Sequence, residues 1–169
     1  MKSTITIAAL AIVLAVAFAI WQETATISVN AQTGYLDADF QNVQVDRSPY
    51  VTAEAKTAGS DAGNDGPPSL TVTVTNAYPG ASVTVSFDVY NDGTIPLRFR
   101  WTACTISGDT GYLKVSGMPT SDTTLDLGAT QKVTLTITAA DNVEEQKTYS
   151  LTIQCPYQQA VPVASGPSQ

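Results

Sequence analysis

The stretch that decides the fold is SVTVSFDVYN, residues 82–91, in which apolar and polar side chains alternate. Its apolar positions are Val83, Val85, Phe87 and Val89. Successive side chains of a β-strand point to opposite faces of the sheet, so the alternation predicts a strand with one face in a core and the other in solvent.

The same alternation recurs in SLTVTVTN (residues 69–76), QKVTLTITA (residues 131–139) and KTYSLTIQC (residues 147–155). About nine or ten such segments, separated by turns rich in Gly, Pro, Asn and Asp, follow the N-terminal region. We therefore predict an all-β protein, an antiparallel β-sandwich of immunoglobulin-like or jelly-roll type. The apolar faces of the three further strands are predicted as Leu70, Val72 and Val74; Val133, Leu135, Ile137 and Ala139; and Tyr149, Leu151, Ile153 and Cys155.

The alternation loses its phase at two places. Cys104 falls out of phase with the apolar face that ends at Trp101, which predicts a β-bulge near residues 102–103. The apolar residues after Phe40 also change phase, which predicts a bulge or bend near residues 41–42. Residues 53–69 are predicted to form a long surface loop, and residues 156–169 a flexible tail or surface strap.

Residues 1–19 have the features of a cleaved signal peptide. Lys2 gives a positive start, an apolar run follows, and residues 17–19 fit the small-x-small cleavage pattern, so we predict cleavage after Ala19. An uncleaved membrane anchor is the alternative. In an exported chain, the two cysteines predict one disulfide, Cys104–Cys155.

Residues 20–34 are predicted to form a strand and linker ahead of a sandwich domain at residues 35–155. Trp21, Ala25, Ile27 and Val29 share one face of this strand, interrupted only by Glu23. A lone strand with an apolar face invites aggregation unless another sheet covers it. It either inserts into the sheet of a neighbouring subunit as a donor strand or folds back as the first strand of its own domain.

Charge and composition exclude several functions. The net charge of −7 disfavours binding to nucleic acid, and the absence of His excludes Ser-His-Asp triads and HExxH zinc sites. No nucleophile, base and stabiliser come together in the sequence, so we expect neither enzymatic activity, nor a cofactor, nor a small-molecule substrate. Arg98 and Arg100 are interpreted as outward-facing arginines that pair with acidic neighbours.

Two groups of acidic residues are candidate cation sites. Asp37 and Asp39 share a strand face and are expected to be solvated. Asp61, Asn64 and Asp65 offer oxygen ligands, but the EF-hand spacing is absent, so a flexible acidic loop is expected. No metal site is therefore predicted.

The order of elements resembles the TasA/camelysin family of secreted filament proteins. The resemblance is carried by ETAT (residues 23–26), GYLDADF (residues 34–40) and PGASVTVSFDVYNDGTIPL (residues 79–97). Within this family the chain resembles in particular the archaeal bundling pilin, a subunit of extracellular pili that bundle in biofilms. The resemblance implies a jelly-roll-like sandwich that lacks one strand, which the N-terminal segment of the next subunit supplies.

The sequence thus predicts a structural subunit of a secreted, extracellular filament on the cell surface. Its expected partners are identical subunits, with lateral bundling of filaments. The alternative is a membrane-anchored or cell-surface recognition domain of immunoglobulin type.

Overall fold

The computed structural model describes residues 33–61, 63 and 65–160. Within them the chain forms antiparallel β-strands and one short 3₁₀ turn, with no α-helix. The strands are β1 (Asp39–Arg47), β2 (Thr52–Ala58), β3 (Ser69–Thr75), β4 (Ser82–Tyr90), β5 (Leu97–Phe99), β6 (Thr105–Gly108), β7 (Leu113–Ser116), β8 (Thr123–Leu125), β9 (Thr130–Ala139), β10 (Thr148–Gln154) and β11 (Tyr157–Gln159).

The strands form two four-stranded sheets, β1-β4-β9-β7 and β2-β3-β10-β6, and one three-stranded sheet, β11-β5-β8. Among these strands, only β2 and β3 are neighbours both in sequence and in a sheet. Every other connection leads to a different sheet, so the core is built mostly from contacts between segments far apart in sequence.

The predicted apolar residues of neighbouring strands lie side by side within each sheet. In β4 and β9, Val85 lies opposite Leu135 and Phe87 opposite Val133. In β3 and β10, Val72 lies opposite Leu151. All of these side chains are buried in one hydrophobic cluster, which makes the fold sandwich-like and confirms the four strand predictions. Full burial of each such side chain contributes about 1.5–3 kcal/mol to folding.

A chain of aromatic rings links two of the sheets. The ring of Phe40 in β1 lies 4.7 Å from that of Phe87 and 5.9 Å from that of Phe99, measured between centroids. The rings of Phe99 and Trp101 are 4.6 Å apart. Tilted ring pairs at these separations add to the energy of simple burial.

The two phase changes have different causes. The bulge predicted near residues 41–42 is confirmed, because the pairing of β1 with β4 shifts between Gln41 and Gln44 and Asn42 has a φ of 54°. The bulge predicted near residues 102–103 is wrong. The 3₁₀ turn Trp101–Ala103 replaces the strand there and turns Cys104 toward the core.

Two predicted irregular segments contain strands. The loop predicted at residues 53–69 is wrong for its first part, because β2 pairs with β3 along its whole length from Thr52 to Ala58. Alternating Ala, Glu and Lys side chains suit an edge strand with little buried surface. In the predicted tail, β11 pairs with β5, so residues 157–159 act as a strap.

Candidate functional site

The predicted donor-strand residues Trp21, Ala25, Ile27 and Val29 lie outside the described residues. The first strand of the described chain, β1, begins at Asp39. The location of the N-terminal strand therefore stays a prediction.

One edge of the sheet β1-β4-β9-β7 is only partly covered. β9 runs from Thr130 to Ala139, but its pairing with β7 ends at Thr136. Within residues 33–160 as described, no strand pairs with Thr130, Lys132 or Thr134 on that side.

The backbone of this edge faces outward. The carbonyl of Ala129 and both backbone groups of Ala139 bond toward β4. Alternate residues of a strand direct their backbone groups to opposite sides, so Thr130, Lys132 and Thr134 direct theirs away from β4. Gly117 packs against the carbonyl oxygen of Thr134, so the backbone groups of Thr130 and Lys132 are the ones that can receive another strand.

The disulfide predicted between Cys104 and Cys155 is confirmed, with an S–S distance of 2.03 Å. It joins the end of the 3₁₀ turn to the residue after β10 and links positions 51 residues apart in sequence. Cys155 is fully buried, as its position on the apolar face predicted.

The interpretation of Arg98 and Arg100 is also confirmed. Both guanidinium Nε atoms lie 3.4 Å from Oδ2 of Asp122. The pKa of Asp122 is lowered, first by the hydrogen bond from the Thr102 hydroxyl and then by the nearby arginines. The two arginines are therefore committed to a local ion pair.

The expectation that Asp37 and Asp39 are solvated is wrong. Their exposed fractions are 0% and 2%. Together with the exposed Asp65 they form a cluster in which one carboxylate oxygen of each residue lies within 4.8 Å of the others. Asp61 does not belong to this cluster; its backbone N–H donates to Oδ2 of Asp65 over 2.8 Å.

The turn after β4 holds the first part of the cluster in place. The backbone N–H of Tyr35 donates to the Thr94 hydroxyl (2.9 Å), and the N–H of Thr94 donates to the Tyr35 carbonyl (3.0 Å). Gly93 packs so closely that a Cβ there would lie 2.7 Å from the Asp37 nitrogen. Asn91, whose amide donates to three backbone carbonyls, anchors this turn from inside.

The β2–β3 loop covers the other side. The hydroxyl of Ser60 accepts a hydrogen bond from the Phe40 backbone N–H over 3.0 Å. This contact brings the loop that carries Asp65 next to β1. The alternation of residues 36–40 predicts that only the apolar face of this segment is covered. The turn after β4 and the β2–β3 loop also cover the face that carries Asp37 and Asp39.

Each buried carboxylate has one oxygen with a partner and one without. Oδ1 of Asp37 accepts from the Ala38 N–H (3.1 Å) and lies 3.5 Å from the Tyr157 hydroxyl. Oδ2 of Asp39 accepts from the Gln41 amide (3.2 Å). Asp37 Oδ2 and Asp39 Oδ1 have no hydrogen-bond partner among the residues that the structure describes.

Burial disfavours the charged forms of Asp37 and Asp39, and the pKa values of both groups are raised accordingly. Desolvation is the largest cause that raises the pKa of Asp37, and the charge of Asp65 raises it further. Desolvation also raises the pKa of Asp39 to about 6, with a further increase from Asp37. Burial and the neighbouring Asp37 raise the pKa of Tyr157 to about 12. The charges with the largest effect on these three groups all come from carboxylates, those of Asp37, Asp39, Asp65 and Asp92.

The sequence contained both halves of this cluster but no sign that they meet. In the sequence, Asp37 and Asp39 form a close pair, and Asp65 belongs to a separate acidic loop. The missing information is the packing of the β2–β3 loop onto β1, which period-two alternation does not encode.

No protein-family model, curated protein sequence or solved structure matches this chain. Among the residues that the structure describes, no helix is long and apolar enough to cross a membrane.

Proposed function

We propose that the protein is a structural, non-enzymatic subunit of an extracellular filament that polymerises by donor-strand complementation. The observation that carries the proposal is the alternating strand pattern of residues 21–30, which directly follows a predicted signal peptide. The family resemblance described above supports the same function and implies a jelly-roll-like domain that each subunit completes for the next.

The partly covered edge of β9 supports the acceptor half of the proposal. A donor strand at this edge would bond to the outward backbone groups of Thr130 and Lys132. Its apolar face would continue the inward face of β9, where Val133 and Leu135 are buried. Donor and acceptor are different surfaces of one subunit, so the contact propagates into a fibre when the rotation does not close a ring.

The disulfide fits this location. Disulfides persist in oxidising environments such as the cell exterior and are rare in the cytosol. Lateral bundling of filaments and the cell-surface location are parts of the same proposal.

Deletion of residues 20–30, with the signal peptide retained, tests the function. We expect soluble monomers in place of filaments in negative-stain images of the secreted fraction. A synthetic peptide of residues 21–30 should bind the truncated protein and raise its unfolding temperature, because it fills the acceptor edge. Filaments that persist after the deletion would contradict the donor role.

The N-terminus of the exported protein separates the proposal from the alternative of an anchored recognition domain. Mass spectrometry should find a start near residue 20. An intact Met1 would favour the anchored domain.

A further inference from the structure

We propose that Asp37, Asp39 and Asp65 bind one calcium ion that ties the start of β1 to the β2–β3 loop. The site stands on the geometry of the sandwich and does not depend on filament formation. Three observations support it. Asp37 and Asp39 are buried, each has one oxygen without a hydrogen-bond partner among the described residues, and the carboxylate of Asp65 lies beside them.

Asp37 and Asp39 are buried, and no ion pair among the described residues compensates their charge. An ionised carboxylate away from water is strongly unfavourable unless it is paired or coordinates a metal. The ion pairs in the described residues lie elsewhere: Lys56–Glu54, Arg98–Asp122, Arg100–Asp122 and Lys147–Glu144. A cation that contacts Asp37 Oδ2 and Asp39 Oδ1 would supply the missing partner for both oxygens.

The charged groups that act most strongly on the two buried carboxylates are themselves carboxylates, including those of Asp65 and Asp92. Asp92 raises the pKa of both Asp37 and Asp39 and so adds to the negative potential at the cluster. This potential favours a divalent cation.

The size and chemistry of the cluster favour calcium. Ca²⁺ binds oxygen ligands at about 2.3–2.6 Å, so oxygens on opposite sides of the ion lie about 5 Å apart. The three carboxylate oxygens lie within 4.8 Å of one another, which is the dimension of that shell. The remaining oxygens of the same carboxylates and water can complete the shell.

Other ions fit less well. Zn²⁺ prefers nitrogen and sulfur ligands, but the chain has no His and both cysteines form the disulfide. Mg²⁺ keeps several of its waters and takes one or two carboxylates at shorter distances. Two carboxylates buried against the protein leave little room for such a hydrated ion.

Calorimetric titration of the purified protein with CaCl₂ at pH 7, after treatment with EDTA and desalting, tests the site. We expect one Ca²⁺ per chain with a Kd of about 10⁻⁴ M or tighter, and a rise in unfolding temperature with Ca²⁺ concentration. MgCl₂ should bind at least roughly tenfold more weakly.

Asp39→Asn and Asp65→Asn are the test variants. Asp39→Asn should abolish the response to Ca²⁺, yet unfold in EDTA at the same or a higher temperature than the parent, because the neutral amide removes a buried charge. Asp65→Asn changes an exposed side chain, so the fold should persist while Ca²⁺ affinity falls by roughly tenfold or more. Asp46→Asn, on the exposed face of β1, is the matched control and should bind Ca²⁺ as the parent does.

The proposal is overturned if millimolar CaCl₂ gives neither binding heat nor thermal stabilisation. Equal loss of binding in Asp46→Asn would show a diffuse charge effect and also overturn the site. Equal affinity for Mg²⁺ would overturn the assignment to calcium. Electron microscopy of Asp65→Asn distinguishes a loss of Ca²⁺ binding from a loss of the donor-strand contact, because the site does not depend on filament formation.

Discussion

Gly93 lies so close to Asp37 that a side chain at position 93 would place its Cβ 2.7 Å from the Asp37 backbone nitrogen. The same Cβ would lie 2.8 Å from the carbonyl oxygen of Tyr35. The turn after β4 therefore determines where the chain enters the sandwich, and where the first two carboxylates of the acidic cluster lie.

Gly93→Ala should destabilise the protein by about 1–3 kcal/mol, because rigid backbone atoms must move to admit the methyl group. It should also weaken Ca²⁺ binding by displacing Asp37. Gly111→Ala is the matched control, since a Cβ there meets no atom within 4 Å. Urea denaturation measures both variants, and equal stability of the two would contradict the role given to this contact.

The double substitution Cys104→Ala and Cys155→Ala removes the disulfide. It should lower the free energy of unfolding by about 4 kcal/mol, because the unfolded chain regains the conformational entropy that a closed loop of this size removes. The reduced parent protein serves as the control and should unfold at a similar urea concentration. A double variant as stable as the oxidised parent would show that the strands alone hold these segments together.

The cation-free protein should become more stable as the pH falls from about 6 toward about 4. The pKa of Asp39 is raised from 3.8 to about 6, so the folded state binds this proton more tightly than the unfolded state does. That shift corresponds to about 3 kcal/mol or less. The raised pKa of Asp37 acts in the same direction.

Thermal unfolding in EDTA across this pH range is the measurement, and Asp39→Asn should flatten the dependence. Asp65, Asp92 and Tyr157 also face the pair. The charges of Asp65 and Asp92 raise the pKa of Asp37, and the charge of Asp37 raises the pKa of Tyr157. Asp122, whose pKa is lowered, stabilises the fold above its ordinary pKa of 3.8 and loses that effect below it. Its contribution therefore lies outside the range from pH 6 to pH 4. A parent protein that loses stability across that range would contradict the prediction.

Ile27→Asp should prevent filament formation and leave the fold of the sandwich unchanged. A carboxylate on the apolar face of the donor strand would be buried in the neighbouring subunit without a partner. Thr26→Asp places the same charge on the opposite, polar face and is the matched control. Electron microscopy distinguishes the two, and filaments of normal length from Ile27→Asp would argue against this face as the inserted one.

The β-strands could be predicted from the sequence because their signal is local. In β3, β4, β9 and β10, period-two alternation alone separates buried from exposed residues, and all four apolar faces are buried as predicted. The bulge at Asn42 was also readable, since a single extra residue reverses the phase of everything after it.

The remaining elements were hidden because their signal is not local. β2 has no large apolar side chain, so only its pairing with β3 makes it a strand. The 3₁₀ turn at Trp101–Ala103 changes phase as a bulge would, and the sequence does not distinguish the two.

By itself, then, the sequence determined the all-β class, the four central strands, the disulfide and the hypothesis of a donor strand, because each depends on residue type and spacing along a single segment. Only the tertiary structure decided that Asp37 and Asp39 are buried beside Asp65, and that β9 keeps a partly uncovered edge. Both features depend on where distant segments pack. The loop that carries Asp65 folds over one face of β1, and β7 is too short to cover β9.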